Sequence, residues 1–564
     1  MELLVYLGII IVGILVIFVN GAISERKRYR LFLWSLDEKY GKFPDRKYED
    51  GDMTKAAAYY RSQPVQESEI DDITWNDLDM DRIYQRINST FTSAGEEYLY
   101  YLLRMPLLDQ NELEKRDQLI RFTMENAEKR KTLQKILYGV GKVQRISLTE
   151  YLILLGDVDR ESNFKHYLMD ALIVITFCLI FVSPGWGALA FMISLAYSII
   201  WYYRRRGSIS PYITTFNYII KMLGAVNTVN GLNYEELKPY CEQTSQTRET
   251  FKNFKRNSFL IAAGVRMSDN IIDLMLDYLR MIFHLDIIKF NSMLKQLQDH
   301  YDQIYILRDV IGLLDSAIAV GSYREALTYY SKPDFVEWDE HSENKVYLSA
   351  EDVYHPLIDE PVVNSITEER GVLLTGSNAS GKSTFLKTIA INAILSQTID
   401  TALAKTYKAN MFYIYSSMAL RDDIMSSESY FIVEIKSLKR ILDAGRTQGP
   451  VLCFIDEVLR GTNTVERIAA SAKIMESLAK DHILCFAATH DIELTQLLEQ
   501  QYSNYHFQEE IEENDIHFNY QLFQGRATTR NAIKLLSVIG YDSEIIEAAE
   551  RVAENFVHTG NWKM

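Results

Sequence analysis

The sequence predicts an α/β C-terminal domain built around a phosphate-binding loop, an all-α helical region ahead of it, and three transmembrane helices. Three observations predict this. A GxxxxGK[ST] pattern occupies Gly376–Ser383, directly after an apolar run. Near residue 345 the texture changes, from apolar residues at three- and four-residue spacing to short β-branched runs alternating with helices. Two long stretches, 3–24 and 171–203, carry no charge at all.

The N-terminal stretch comes first. Leu3–Val19 is almost wholly aliphatic, and the run suits one bilayer-spanning helix of about 20 residues. A cleaved signal peptide is the rival reading. It would carry a positive n-region and a small-residue cleavage site, yet only Glu2 is charged ahead of the run. Arg26-Lys27-Arg28 and Arg30 follow, which places this end in the cytoplasm and the N-terminus outside. The second stretch, Ala171–Tyr203, is broken by Ser183-Pro184-Gly185-Trp186. As one straight helix it would reach about 50 Å, against a hydrocarbon core of about 30 Å. A hairpin of two spanning legs turning at Pro184-Gly185 fits better. Arg204-Arg205-Arg206 marks its cytoplasmic exit and Trp201, Tyr202 and Tyr203 its interface. Three spans return the C-terminal half to the cytoplasm. A buried hairpin in a soluble core is the alternative.

These signals divide the chain into a transmembrane anchor (1–24), a helical region (25–165), a transmembrane hairpin (166–203), a second helical region (204–344) and the α/β domain (345–555). At 564 residues, 48% hydrophobic and 24% charged, the chain can bury several cores, and wholesale disorder is excluded. The net charge of −16 argues against a broad nucleic-acid coat but leaves room for a local basic groove. The cluster Lys252, Lys255 and Arg256 reads as a solvated helix face, and Glu509–Glu513 as a surface turn. Cys178, Cys241, Cys453 and Cys485 follow no metal-ligand spacing, and a reducing compartment is the simpler reading.

The chemistry concentrates at three strand ends. Gly371–Thr375 feeds into the loop Gly376, Ser377, Asn378, Ala379, Ser380, Gly381, Lys382, Ser383, with a helix expected from about Thr384. Gly376 and Gly381 let backbone amides curl around phosphates at a helix N-terminus. Lys382 would neutralise phosphate charge and Ser383 would hold Mg²⁺. Val451–Ile455 ends in Asp456, placed to reach the Mg²⁺, and Glu457, placed to orient an attacking water. Ile483–Ala488 ends in Thr489-His490-Asp491, where His490 can donate to a γ-phosphate. A metal site at His490-Asp491 is the competing reading, without a companion His cluster to support it.

These residues resemble the MutS family of DNA mismatch-repair ATPases, within the ABC-type P-loop ATPase class. Thr375–Thr384 is similar to the family's TGPNMGGKST and keeps its Asn as Asn378, while Ser377, Ala379 and Ser380 depart from it. His355-Pro356 lies upstream of the loop as in that family. Asp422-Asp423 and Ser426–Glu434 look like its DD…GRSTFMVE segment, Asp456–Thr464 like DEIGRGTST, and Ala488–His490 like its ATH switch. Further upstream, Thr74-Trp75, Ser93–Gly95 and Arg104–Leu107 look like the entry to its core and lever helices, and Leu307–Tyr329 like the helices before its ATPase. The family's mismatch-reading domain has no counterpart.

The resemblance implies an ATP hydrolase with ATP and Mg²⁺ at Gly376–Thr384, Mg²⁺ held by Ser383 and Asp456, and Lys382, Glu457 and His490 in catalysis. It also implies a head-to-tail homodimer in which Ser429 completes the partner's nucleotide site. The output is expected to be binding of mismatched or branched DNA in repair or recombination. A mechanochemical ATPase acting on a membrane or protein partner without DNA is the alternative. The expected place is the cell membrane, multi-pass, with the ATPase domain cytoplasmic.

Overall fold

The computed structural model describes residues 24–559 apart from 25, 144–145, 252–253, 255–270, 340–344, 378–379, 419–429, 460–462, 513–514, 528–532, 534–535 and 537–539. The chain folds as two units. One comprises Met1–Pro64, Ile87–Tyr101 and Gln118–Ala326, the other Val65–Arg86, Leu102–Asp117 and Leu327–Met564.

The first unit is helical, and its sequence explains where helices start and meet. Ser147 and Glu150 form a reciprocal capping box that opens the helix Leu148–Gly156. Helix Ser93–Arg104 lies against helix Tyr301–Ala326 at two glycines. A Cβ on Gly95 would stand 2.3 Å from Asp315 Oδ2, and one on Gly312 would stand 2.5 Å from Tyr98 Cβ. This closeness lets the buried Asp315 accept from the Phe91 and Thr92 amides and from the Thr92 hydroxyl, which holds Thr92 in place to cap the helix by accepting from the Gly95 amide. Glu97, also buried, accepts from the Leu148 and Thr149 amides and the Thr149 hydroxyl.

The apolar stretch is a hairpin of helices Phe164–Val182 and Pro184–Gly231, broken at Ser183 where the backbone leaves the helical region. Pro184 opens the second helix at a position where its missing N–H costs nothing. The legs are joined by a Thr176–Ser194 hydroxyl contact of 2.9 Å, and Gly187 sits where a Cβ would meet the Ile180 backbone at 2.5 Å. Two segments, Phe164–Val182 and Pro184–Ser210, are long and apolar enough to cross a membrane, and only 17% and 22% of them are buried. Phe181, Val182 and Trp186 at the tip are more than three-quarters exposed. The second leg runs on unbroken into a helix of 48 residues, so Arg204–Arg206 lies within a helix rather than at its end. The expected anchor at 1–24 falls outside the described residues, Ser24 excepted.

The second unit is α/β. Its strands are β1 (Asp334–Phe335), β2 (Leu348–Val353), β3 (Asn364–Glu368), β4 (Gly371–Thr375), β5 (Thr406–Ala409), β6 (Tyr413–Ser417), β7 (Val451–Asp456), β8 (Ile483–Ala488), β9 (Tyr502–Glu512) and β10 (Asp515–Gln524). A four-stranded sheet runs β1-β5-β2-β3 and a six-stranded sheet β10-β9-β4-β8-β7-β6. The larger sheet is parallel except for β10, which pairs antiparallel with β9. Its central strands β4 and β8 are buried along their whole length, as expected for a sheet covered on both faces. Leu373, Ile441, Val451, Cys453, Ile455, Met475, Ile483 and Cys485 form part of the core beside it.

Two stretches from early in the chain complete this unit. Helix Asp72–Asp77 docks on β6, where Thr74 and Asp77 accept hydrogen bonds from Ser416. Leu107, just after Pro106, exchanges hydrogen bonds with Gln397, whose side chain also binds the Phe412 backbone. Two local expectations are corrected. Glu509–Glu512 belong to β9, where hairpin pairing with β10 outweighs the low strand propensity of glutamate. The helix after the phosphate loop begins at Lys382, because Gly381 with φ of 107° turns the chain into it at once.

Candidate functional site

Parallel pairing puts three strand ends side by side. Leu374 of β4 and Asp456 of β7 both stand opposite Ala488 of the intervening β8. The residues just past these ends therefore meet at one edge of the sheet, which is where open α/β sheets bind ligands.

From β4 the chain enters the loop 376–381. Gly376 has φ of 144°, and a Cβ there would stand 2.6 Å from the Phe507 carbonyl oxygen. Any other residue would be strained and would collide with β9. Ser380 donates to the Ser377 carbonyl and shapes the turn. Helix Lys382–Ile399 then presents its N-terminus to the loop. Lys382 Nζ donates to the carbonyl oxygens of Gly376 and Ser377, each at 2.8 Å, so its ammonium lies over the loop's first turn. Thr384 occupies the first turn of the same helix. Asn378 and Ala379 lie outside the described residues.

Ser383 Oγ donates to Asp456 Oδ2 at 2.6 Å, bridging β4's helix to the end of β7. A hydroxyl and a carboxylate oxygen held together form a hard-oxygen donor pair that suits Mg²⁺ rather than a softer metal. Glu457 follows with φ of 61°, its amide bonded to the Ala488 carbonyl at 2.9 Å. Its Oε1 lies 3.0 Å from His490 Nε2. Beside them Asp491 is gripped by Arg467 through Nη2 at 2.6 Å and Nε at 3.0 Å, which commits that carboxylate to an ion pair.

All of the described site residues thus gather at the sheet edge: the loop glycines, Ser377, Ser380, Lys382, Ser383, Thr384, Asp456, Glu457 and His490. Ser429 falls in 419–429, outside the described residues. Two neighbours, which the sequence reading included in the segments 426–434 and 456–464 without giving them a role, also lie here. Glu434 accepts from the Leu459 amide at 2.6 Å, and Asn463 caps helix Thr464–Leu478 through the Val465 amide. Asn463 had a local signal, an Asn ahead of an apolar-periodic run. Glu434 closes the segment that resembles the family's motif, but nothing local pointed to its partner, which is 25 residues away.

Residues 372–557 match the family model of MutS domain V. MutS protein homolog 4 of Mus musculus is 30% identical over 271 residues, 45% of this chain and 27% of that protein. MutS protein homolog 4 of Homo sapiens is 27% identical over 293 residues, 49% of this chain and 30% of that protein. DNA mismatch repair protein MutS of Thermus thermophilus is 31% identical over 179 residues, 32% of this chain and 22% of that protein. The chain therefore spans less than a third of the length of these curated relatives. The strands and helices that carry the site thus lie within the stretch that is similar to MutS domain V.

Proposed function

We propose that this chain is a membrane-anchored MutS-family ATPase that hydrolyses Mg²⁺-ATP in a head-to-tail homodimer and couples it to mismatched or branched DNA. The observation that carries the reading is the convergence of Lys382, the Ser383–Asp456 pair and the Glu457–His490 pair on one sheet edge.

The geometry supports the following roles. Loop amides and Lys382 bind the phosphates, and the loop glycines allow the close approach. Ser383 and Asp456 would hold Mg²⁺, which when bound neutralises charge on the phosphate oxygens. Glu457 orients the attacking water and accepts its proton, while the His490 ring N–H fixes the direction of the carboxylate and would turn to the γ-phosphate once Glu457 takes up the water. Ser429 of a second copy would close the nucleotide site.

The largely unburied apolar hairpin, with Arg204–Arg206 beyond its apolar stretch, supports insertion in the cell membrane as a multi-pass protein with the ATPase domain cytoplasmic. The same hairpin and the net charge of −16 favour a second reading, in which the output is a membrane or protein partner and not DNA.

The test is ATP turnover by full-length protein in nanodiscs, with Glu457→Gln as the blank, across homoduplex, mismatched and branched DNA in a salt titration. Stimulation by one DNA structure, lost steeply with salt, supports the first reading. Turnover indifferent to every DNA but altered by lipid composition supports the second. No turnover above the blank overturns both.

A further inference from the structure

We propose that Glu434 is the positioning residue that holds the catalytic turn 457–459, and through it the Glu457 carboxylate. The proposal rests on the reading of Glu457 as the water-orienting group. Glu457 and Leu459 both adopt left-handed backbone, with φ of 61° and 60°. Neither is a residue that favours this region, and such a conformation persists only where the surroundings hold it in place. Three backbone groups of the turn are held from outside. The Glu457 amide donates to the Ala488 carbonyl of β8, and Ser471 Oγ donates to the Val458 carbonyl at 3.2 Å. The third is the Leu459 amide, which donates to Glu434 Oε1 at 2.6 Å.

Glu434 is 4% exposed, and Val458 and Leu459 are 5% exposed, so this charge-assisted bond lies away from water. Glu434 sits on helix Tyr430–Thr447, which Arg440 fastens to Asp71 and to the Ser416 carbonyl. A displacement of that helix therefore pulls on the turn that carries Glu457. Helix Tyr430–Thr447 directly follows the segment 419–429, which contains Ser429. Glu434 thus links the residues expected to meet a partner's nucleotide to the residue expected to use the water.

The experiment compares full-length wild type, Glu434→Ala, Glu434→Asp and Glu434→Gln. It measures ATP turnover at saturating ATP, binding of a fluorescent ATP analogue, and hydrogen exchange at the Leu459 amide. Aspartate keeps the charge but is one methylene too short for the 2.6 Å contact, whereas glutamine keeps the accepting oxygen at the same reach. The expected result is a fall in kcat of at least tenfold in Glu434→Asp and Glu434→Ala, analogue affinity within about twofold of wild type, and faster exchange at Leu459. Glu434→Gln should keep most of the turnover and protection. Should Glu434→Ala not fold, the contrast between aspartate and glutamine carries the test. Wild-type turnover in Glu434→Asp, or an equal fall in the aspartate and glutamine variants, overturns the proposal while leaving the ATPase reading intact. Wild-type protein that hydrolyses no ATP overturns the ATPase reading itself, and protection at Leu459 still reports whether Glu434 holds the turn.

Discussion

The Asp77 carboxylate accepts hydrogen bonds from the Ser416 hydroxyl at 2.6 Å and the Met418 amide at 2.9 Å, both on the same oxygen. This fastens a helix 339 residues earlier in the chain to the end of β6. Thr74 adds its hydroxyl oxygen as acceptor for the Ser416 amide at 3.1 Å. Removing the Asp77 carboxylate would leave a buried hydroxyl and a buried amide without it, at about 1–3 kcal/mol for each donor stranded. Asp77→Ala is expected to lower the melting temperature of the α/β unit by several degrees, as read by calorimetry, and Asp77→Asn to do so less.

Binding and turnover should separate at the site. Lys382→Ala removes the ammonium over the loop and is expected to weaken ATP binding at least tenfold. Glu457→Gln keeps the size of the side chain but loses the base, and should bind ATP normally while turnover falls by about 10²–10⁴-fold. Fluorescent-nucleotide titration and single-turnover hydrolysis read the two effects independently.

His355, upstream of the loop, supplies a pH test on the α/β unit. Burial, with the Lys387 and Arg82 charges nearby, pushes its pKa down to about 4, against the opposing effect of Asp79. Its Nδ1 accepts from the Leu357 amide at 3.2 Å, which suits the neutral ring. The unfolded chain takes up a proton near pH 6.5, so the stability due to His355 is complete above that pH and is lost as pH falls toward 4. Urea unfolding between pH 4 and 8 should show this slope in wild type and a shallower one in His355→Gln.

Glu97 in the helical unit carries the opposite sign. Burial raises its carboxyl to about 7, although the Thr149 hydroxyl and the Leu148 and Thr149 amides lower it. A raised carboxyl contributes stability that is complete below its unfolded value of about 4.3 and is lost as pH rises through 7. The advantage of wild type over Glu97→Gln should therefore be larger at pH 5 than at pH 8, measured by chemical unfolding of both proteins.

The two halves of the site differ in how far the sequence reveals them. Gly376, Gly381, Lys382 and Ser383 are contiguous, and their chemistry follows from local backbone needs that one strand, one loop and one helix satisfy. Asp456, Glu457 and His490 could be assigned because each ends an apolar strand of a parallel sheet, whose strand ends must lie on one side. The hairpin break at Ser183-Pro184 was equally legible, since proline and an uncharged run leave few conformations open.

Glu434 and Asp77 were not legible, because a carboxylate in a helix looks like solvated surface until a distant amide is brought to it. The continuous helix Pro184–Gly231 was hidden for a related reason, as three arginines end an uncharged run without ending a helix. By itself the sequence determined the strand–loop–helix arrangement and the apolar hairpin, both set by interactions within a few residues. Only the tertiary structure decided that 65–86 and 102–117 join the α/β unit, and that Glu457 sits in a strained turn held by Glu434. Those arrangements depend on buried polar groups finding partners far along the chain, and no local pattern of residues encodes which partner that is.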